Sequence, residues 1–357
     1  MKRKLALILA LLMVITMSVA CGTREAAPEA PAEEVDAPEA SADGVEGKTF
    51  AFIFKNTGNP YGDAQIDGFI EAIESRGGTA IARAPDLPTA EGQIQIIEEL
   101  IAQGVDSITI VGNDVDALEP VLTRAMDAGI KVSAADSSVN PNSRQVFVNQ
   151  TSTDLFAQSM IEGALELMDG EGQFAILSAT AQATNQNAWI ASMIEQMEND
   201  SRFDNMELVE IVYGDDLRDK SIAETEALLL KWPDLRCIVI PTTVGLAAAA
   251  VVITEQGLQG EVLLTGGGLP SEMYEFIMNG ACPFMFLWNP IDVGYLAGHA
   301  AMALVEGTIT GAEGDTFTAG RLGEYTVVAA ADGGTEIILG PPYRFDASNI
   351  ALWKDVY

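Results

Sequence analysis

Residues 107–138, SITIVGNDVDALEPVLTRAMDAGIKVSAADSS, read as strand, helix, strand. Ser107–Val111 is a short apolar run. Leu118, Val121, Leu122 and Ala125 then recur at the i, i+3, i+4, i+7 spacing of one helix face, and Ile130–Ala135 is a second apolar run. Strands that are apolar throughout, joined through an amphipathic helix, build a parallel sheet covered on both faces.

The same alternation extends in both directions. Upstream, Thr49–Phe54 predicts a strand, Ile66, Phe69, Ile70 and Ile73 a helix face, Thr79–Arg83 a strand, and Ile94, Ile97 and Ile101 another helix face. Gln145–Val148 closes the series. It restarts with Gln173–Leu177, a helix from near Asn185, and strands at Leu208–Val212, Cys237–Ile240 and Val262–Leu264. Two successive series predict two similar α/β lobes. Phe284–Leu287, the helix from Ile291 to about Val305, and the runs Tyr325–Val328 and Glu336–Leu339 follow them.

The amino terminus reads as an export signal. Lys2, Arg3 and Lys4 precede an uncharged apolar stretch, Leu5 to Ala20, which is short for a membrane span. Small residues before Cys21 look like a bacterial lipobox, so residues 1–20 are expected to be cleaved and Cys21 acylated. Residues 22–47 hold eight acidic residues and one basic one, Arg24, with no apolar period. Such a segment cannot form a core and is expected to be an extended tether, residues 21–47, leading to a body that starts near Lys48.

The chain of 357 residues has a formal net charge of −33, and loss of the basic signal would deepen it. That charge argues against nucleic acid and anionic lipid surfaces as partners. Beyond Cys21 there are Cys237 and Cys282, in strand-like runs that suit buried thiols, with a single disulfide as the alternative. The lone histidine, His299, lies on an Ala-rich helix and reads as a packing or surface residue.

A search for enzyme chemistry returns little. One histidine leaves no HExxH site, no nucleophile elbow or phosphate loop is present, and Gly266-Gly267-Gly268 does not continue as a dinucleotide fingerprint. Asn113-Asp114-Val115-Asp116 lacks the glycine and closing glutamate of a calcium loop and reads as a helix start. No catalytic residue, metal or cofactor is expected. A paired-acid glycosidase stays open, because acidic residues are many and their separations are not legible.

In open α/β sheets ligands sit beyond the carboxyl ends of the strands. Those ends carry Lys55, Asn56, Asn59 and Tyr61; Asp136; Asn149 and Gln150; Asn185, Gln186 and Trp189; Pro241, Thr242 and Thr243; and Trp288 and Asn289. Carboxylates, amides, hydroxyls and flat aromatic faces are what a sugar's hydroxyls and C–H faces call for. The same residue types also cap helices and make turns.

At these residues the chain resembles a known family. Thr89-Ala90-Glu91-Gly92-Gln93, Asp136-Ser137, Val148-Asn149-Gln150, Thr184-Asn185-Gln186-Asn187-Ala188-Trp189 and Leu287-Trp288-Asn289, in this order, resemble the type I periplasmic-binding-protein fold, within it the rhamnose-binding and autoinducer-2-binding branch. The closing residues 345–357 are similar too, and the resemblance covers about Thr49 to Tyr357.

It implies two doubly wound parallel-sheet lobes joined by three crossing strands: residues 48–150 with 289–315, and 151–288 with 316–357. It also implies ligand contacts at Lys55, Asp136, Asn185, Gln186, Pro241 and Thr243. Asn56, Gln150, Thr242, Trp288 and Asn289 complete the expected site. The implied role is a monomeric, lipid-anchored, extracytoplasmic component of an ABC importer that delivers a small sugar to membrane subunits. The membrane would be reached through the lipid alone.

Autoinducer-2 binders carry Asp where this chain has Asn185, and a smaller residue where it has Thr243. The change from acceptor to donor and acceptor favours a neutral deoxyhexose such as rhamnose, or a related aldose. Autoinducer-2 binding, for uptake or chemosensing, and a secreted glycoside-acting enzyme are the alternatives. A repressor of the same fold would need a basic helix-turn-helix where the signal and tether stand.

Overall fold

The computed structural model describes residues 44–357. The export segment, Cys21 and the tether as far as Asp43 lie outside the described residues. The body starts a little before Lys48: Val45 is fully buried in the core, and its carbonyl accepts from the Lys48 N–H at 3.0 Å.

The first series runs β1 (Thr49–Ile53), α1 (Pro60–Ser75), β2 (Thr79–Arg83), α2 (Ala90–Gln103), β3 (Ser107–Ile110), α3 (Val115–Asp127), β4 (Lys131–Ala135) and β5 (Val146–Asn149). The second runs α4 (Thr153–Leu167), β6 (Gly172–Ser178), α5 (Thr184–Asn199), β7 (Met206–Tyr213), α6 (Arg218–Lys231), β8 (Leu235–Ile240), α7 (Thr243–Glu255), β9 (Leu263–Gly266), α8 (Pro270–Met278) and β10 (Phe284–Leu287). Then come α9 (Pro290–Glu306), β11 (Thr316–Thr318), β12 (Glu324–Thr326), β13 (Val328–Ala329), β14 (Thr335–Ile338) and β15 (Tyr343–Asp346).

Two sheets result. The first has the order β13-β14-β5-β4-β3-β1-β2, parallel except at β13. The second is parallel with the order β7-β6-β8-β9, and β10 joins its edge through a bridge from Gly267 to Phe286. The period of two along β1 divides the core of the first lobe. Phe50 and Phe52 pack on one face, while Ala51 and Ile53 pack on the other against Ile97, Leu118 and Leu122.

The chain passes between the lobes three times, after β5, after β10 and after β14. The expected second-lobe segment 316–357 is thereby divided, which corrects the boundary. β14 pairs in parallel with β5 in the first sheet, and only β15 returns to pair antiparallel with β10. A pairing between residues almost 190 positions apart leaves no local mark in the sequence.

Side-chain caps fix several helix starts. Asn59 accepts from the Tyr61 and Gly62 N–H groups of α1, Asp114 from Asp116 and Ala117 of α3, and Asn289 from Ile291 of α9. Cys237 and Cys282 are both buried free thiols, and burial pushes the Cys237 thiol up to about 12. His299 is buried against the Tyr295 ring at 4.6 Å, and burial pulls its pKa down to about 4.

α1 and α9 pack backbone to backbone. A Cβ on Gly68 would lie 1.9 Å from the Ile291 carbonyl oxygen, and one on Gly294 would lie 1.8 Å from that of Gln65. Neither backbone atom can swing aside. Alanine in a free helix interior stabilises relative to glycine, by roughly 0.5–1 kcal/mol, so the sign of one substitution is decisive. Gly294→Ala should instead lower the unfolding free energy by about 3 kcal/mol, the upper range for overpacking. Urea denaturation measures it, and an unchanged or higher midpoint would rule out the close contact.

Candidate functional site

A pocket with about 410 Å³ of empty space, mouth included, opens where the two sheets present their carboxyl ends. Phe54 and Lys55 follow β1, Asp136 follows β4, Pro241 and Thr242 follow β8, and Trp288 follows β10. Asn185 and Gln186 enter from the first turn of α5, Thr243 from the start of α7, and Asn59 and Tyr61 from the start of α1. A wider, open groove around Leu230, Trp232 and Arg236 lies at the amino ends of β6 and β8, away from this convergence.

Asp136 is the centre of the polar network. Its backbone takes the left-handed conformation, φ 60°, which aspartate tolerates better than most residues. Oδ2 accepts from the Tyr61 hydroxyl and from Gln65 Nε2 at 2.9 Å, and Oδ1 accepts from Asn185 Nδ2 at 2.9 Å. Trp288 Nε1 donates to the Tyr61 oxygen at 2.7 Å, so the indole N–H orients the phenol that binds the carboxylate. Asp136 is only 4% exposed. Burial raises its pKa, against the lowering effects of the Lys55 ammonium and the Tyr61 and Gln65 hydrogen bonds.

Asn185 ties the lobes together. It comes from the second lobe, donates to Asp136 and accepts from Lys55 Nζ at 3.2 Å, both of the first lobe. Gln186 donates to the Pro241 carbonyl at 3.3 Å, holding the start of α5 against the loop after β8. An aromatic floor lies below. Phe156 packs edge-on against Trp189 and Trp288, with ring centroids 4.8 Å apart in each case.

Of the expected site residues, Lys55, Asp136, Asn185, Gln186, Pro241, Thr242, Thr243 and Trp288 line this one pocket. Asn56, Gln150 and Asn289 are not among its lining residues. Asn56 turns back to donate to the Thr57 carbonyl, and Asn289 serves as the α9 cap. Gln150 is fully buried and lines an adjoining chamber that shares Asp136, Asn185 and Trp189 with the pocket. Asn59, Tyr61 and Trp189 stand at the strand ends noted in the sequence but outside the expected set. Asp216, which also lines the pocket, was missed. It follows β7, so the strand-end rule that found the others also reaches it.

Residues 50–309 match the family described as periplasmic binding protein domain. The solved structure of an ABC transporter solute-binding protein from Clostridium phytofermentas with bound L-rhamnose is 48% identical, with a TM-score of 0.86 over 88% of this chain and 100% of that one. LsrB from Clostridium saccharobutylicum in complex with AI-2 shares the fold, at 21% identity and a TM-score of 0.80 over 85% of this chain and 99% of that one. The D-ribose/D-allose-binding protein of Pseudomonas aeruginosa is 26% identical over 190 residues, 51% of this chain, and the match spans 57% of that relative's length. The Clostridium phytofermentas and Pseudomonas aeruginosa relatives are sugar-binding proteins rather than enzymes, and the resemblance and fold class read from the sequence are borne out. The chain belongs to the periplasmic binding protein domain family, among the solute-binding proteins of sugar ABC transporters.

Proposed function

We propose that the chain is the extracytoplasmic, lipid-anchored binding subunit of an ABC importer, acting as a monomer. It takes a neutral deoxyhexose of the rhamnose type, or a related aldose, in the pocket at Asp136, and hands it to the membrane subunits. The observation that carries this reading is the Lys55–Asn185–Asp136 bridge. One buried carboxylate, one ammonium and one amide from two lobes meet at the same point. A sugar bearing vicinal hydroxyls can replace those side-chain bonds with its own, and in doing so join the lobes through itself. The rhamnose carried by the 48%-identical solute-binding protein supports that ligand class. An amide rather than a carboxylate at Asn185, where autoinducer-2 binders carry Asp, favours the sugar over autoinducer-2.

Asp136 must be ionised to accept two hydroxyls. Because its pKa stands above the ordinary carboxylate value, affinity should begin to fall with decreasing pH earlier than for a free aspartate. Isothermal titration from pH 7.5 downward checks this. Asp136→Asn should bind weakly at every pH and show no such slope, and a wild-type affinity flat to pH 4 would remove the carboxylate from the site.

The lipid anchor is tested by fractionation. The wild type should sediment with membranes and Cys21→Ser should appear in the soluble fraction, whereas equal membrane association of both would sink the anchor.

Ligand identity is tested by thermal shift of the body from Gly44 onward against monosaccharides and autoinducer-2. A ligand at 1,000 times its Kd stabilises by about 4 kcal/mol. A shift with L-rhamnose or another aldose is expected. A shift with autoinducer-2 alone would overturn the ligand class, and none with any sugar would overturn the reading.

A further inference from the structure

Asp216 lines the same pocket as Asp136. It stands on the loop after β7 with its neighbour Asp215, and both backbones are left-handed, at φ 52° and 56°. Two consecutive non-glycine residues in that region are costly and persist only where the surroundings hold them. Asp215 turns outward to pair with Lys220 at 2.6 Å, while Asp216 turns into the pocket.

There Oδ1 accepts from the Thr242 hydroxyl, and Oδ2 has no protein hydrogen bond among the described residues. Thr242 occupies the N-cap position of α7 yet makes no capping bond. Its hydroxyl is given to Asp216 instead of to the helix, although capping is what a threonine there ordinarily does. The cleft thus holds two carboxylates, one from each lobe, against the single ammonium of Lys55. The two are close enough for the charge of Asp216 to act on Asp136.

We infer that Asp216 is the second lobe's carboxylate for the ligand. Its free oxygen takes a hydroxyl of the bound sugar. Together with Asp136 it restricts the site to uncharged sugars and turns away sugar acids and sugar phosphates, since an anion would face two like charges with one counter-charge. The inference rests on the sugar reading above and goes beyond it by assigning a residue and a charge rule.

Isothermal titration of the mature chain with L-rhamnose and with L-rhamnonate, for wild type, Asp216→Asn and Asp216→Gly, tests it. Both variants should lose roughly tenfold or more in L-rhamnose affinity, the scale of a lost hydrogen bond to a charged group. Glycine accepts the left-handed backbone freely, so the ligand-free melting temperature of Asp216→Gly should not fall. Wild type should not bind L-rhamnonate. Affinity within about twofold of wild type in both variants, against the expected loss, would overturn the assignment. So would a melting-temperature loss in Asp216→Gly alongside full affinity in Asp216→Asn, which would mark a purely structural role. Equal binding of rhamnose and rhamnonate by wild type would overturn the charge rule. A wild type that binds no L-rhamnose would bring down the rhamnose reading and this inference with it, an outcome distinct from variants that bind as well as a binding wild type.

Discussion

Backbone contact between α1 and α9 is the constraint on which the pocket depends. Gly68 and Gly294 let the two helices approach until each one's glycine meets the other's carbonyl, and Gly298 continues the seam against Ala72. α1 carries Tyr61 and Gln65, and α9 begins two residues after Trp288. The Trp288–Tyr61 hydrogen bond therefore forms between residues 227 positions apart because α1, which bears Tyr61, and α9, which starts just past Trp288, have no space between them. The same seam fastens the chain to the first lobe immediately after its second passage between the lobes.

On that scaffold the electrostatics of the first lobe's side of the cleft are arranged around Asp136. Burial works against the charge of Asp136, while the Lys55 ammonium and hydrogen bonds from Tyr61 and Gln65 work for it. An ionised carboxylate held by neutral donors stays a strong acceptor without being neutralised by an ion pair. Lys55 stays at one remove, its hydrogen bond made to the Asn185 oxygen rather than to the carboxylate itself.

Much of this was legible in the sequence, for identifiable reasons. The βαβ alternation is local, so both series of strands and helices could be read from apolar spacing. The strand-end rule reaches Lys55, Asp136, Gln186, Thr242 and Trp288, which line one pocket. What failed were the non-local and the ambiguous features. β14 joins the first sheet by pairing with β5, a fact carried by no motif near residue 335. Asn289 caps its helix and Asn56 satisfies a nearby carbonyl, the ordinary duties of asparagine at such positions. Asp216 escaped because Gly214-Asp215-Asp216 reads as a turn, and which aspartate of the pair faces inward depends on backbone torsions.

The Asn185 bridge has a consequence for selectivity. Because Lys55, Asn185 and Asp136 already satisfy one another, a solute that engages them gains only the difference between the bonds it makes and those it displaces. A molecule that matches part of the pattern breaks as much as it forms and leaves no better off than it entered. Discrimination then works by exchange rather than by fit alone, and the cleft acts as a threshold below which an imperfect guest is not held.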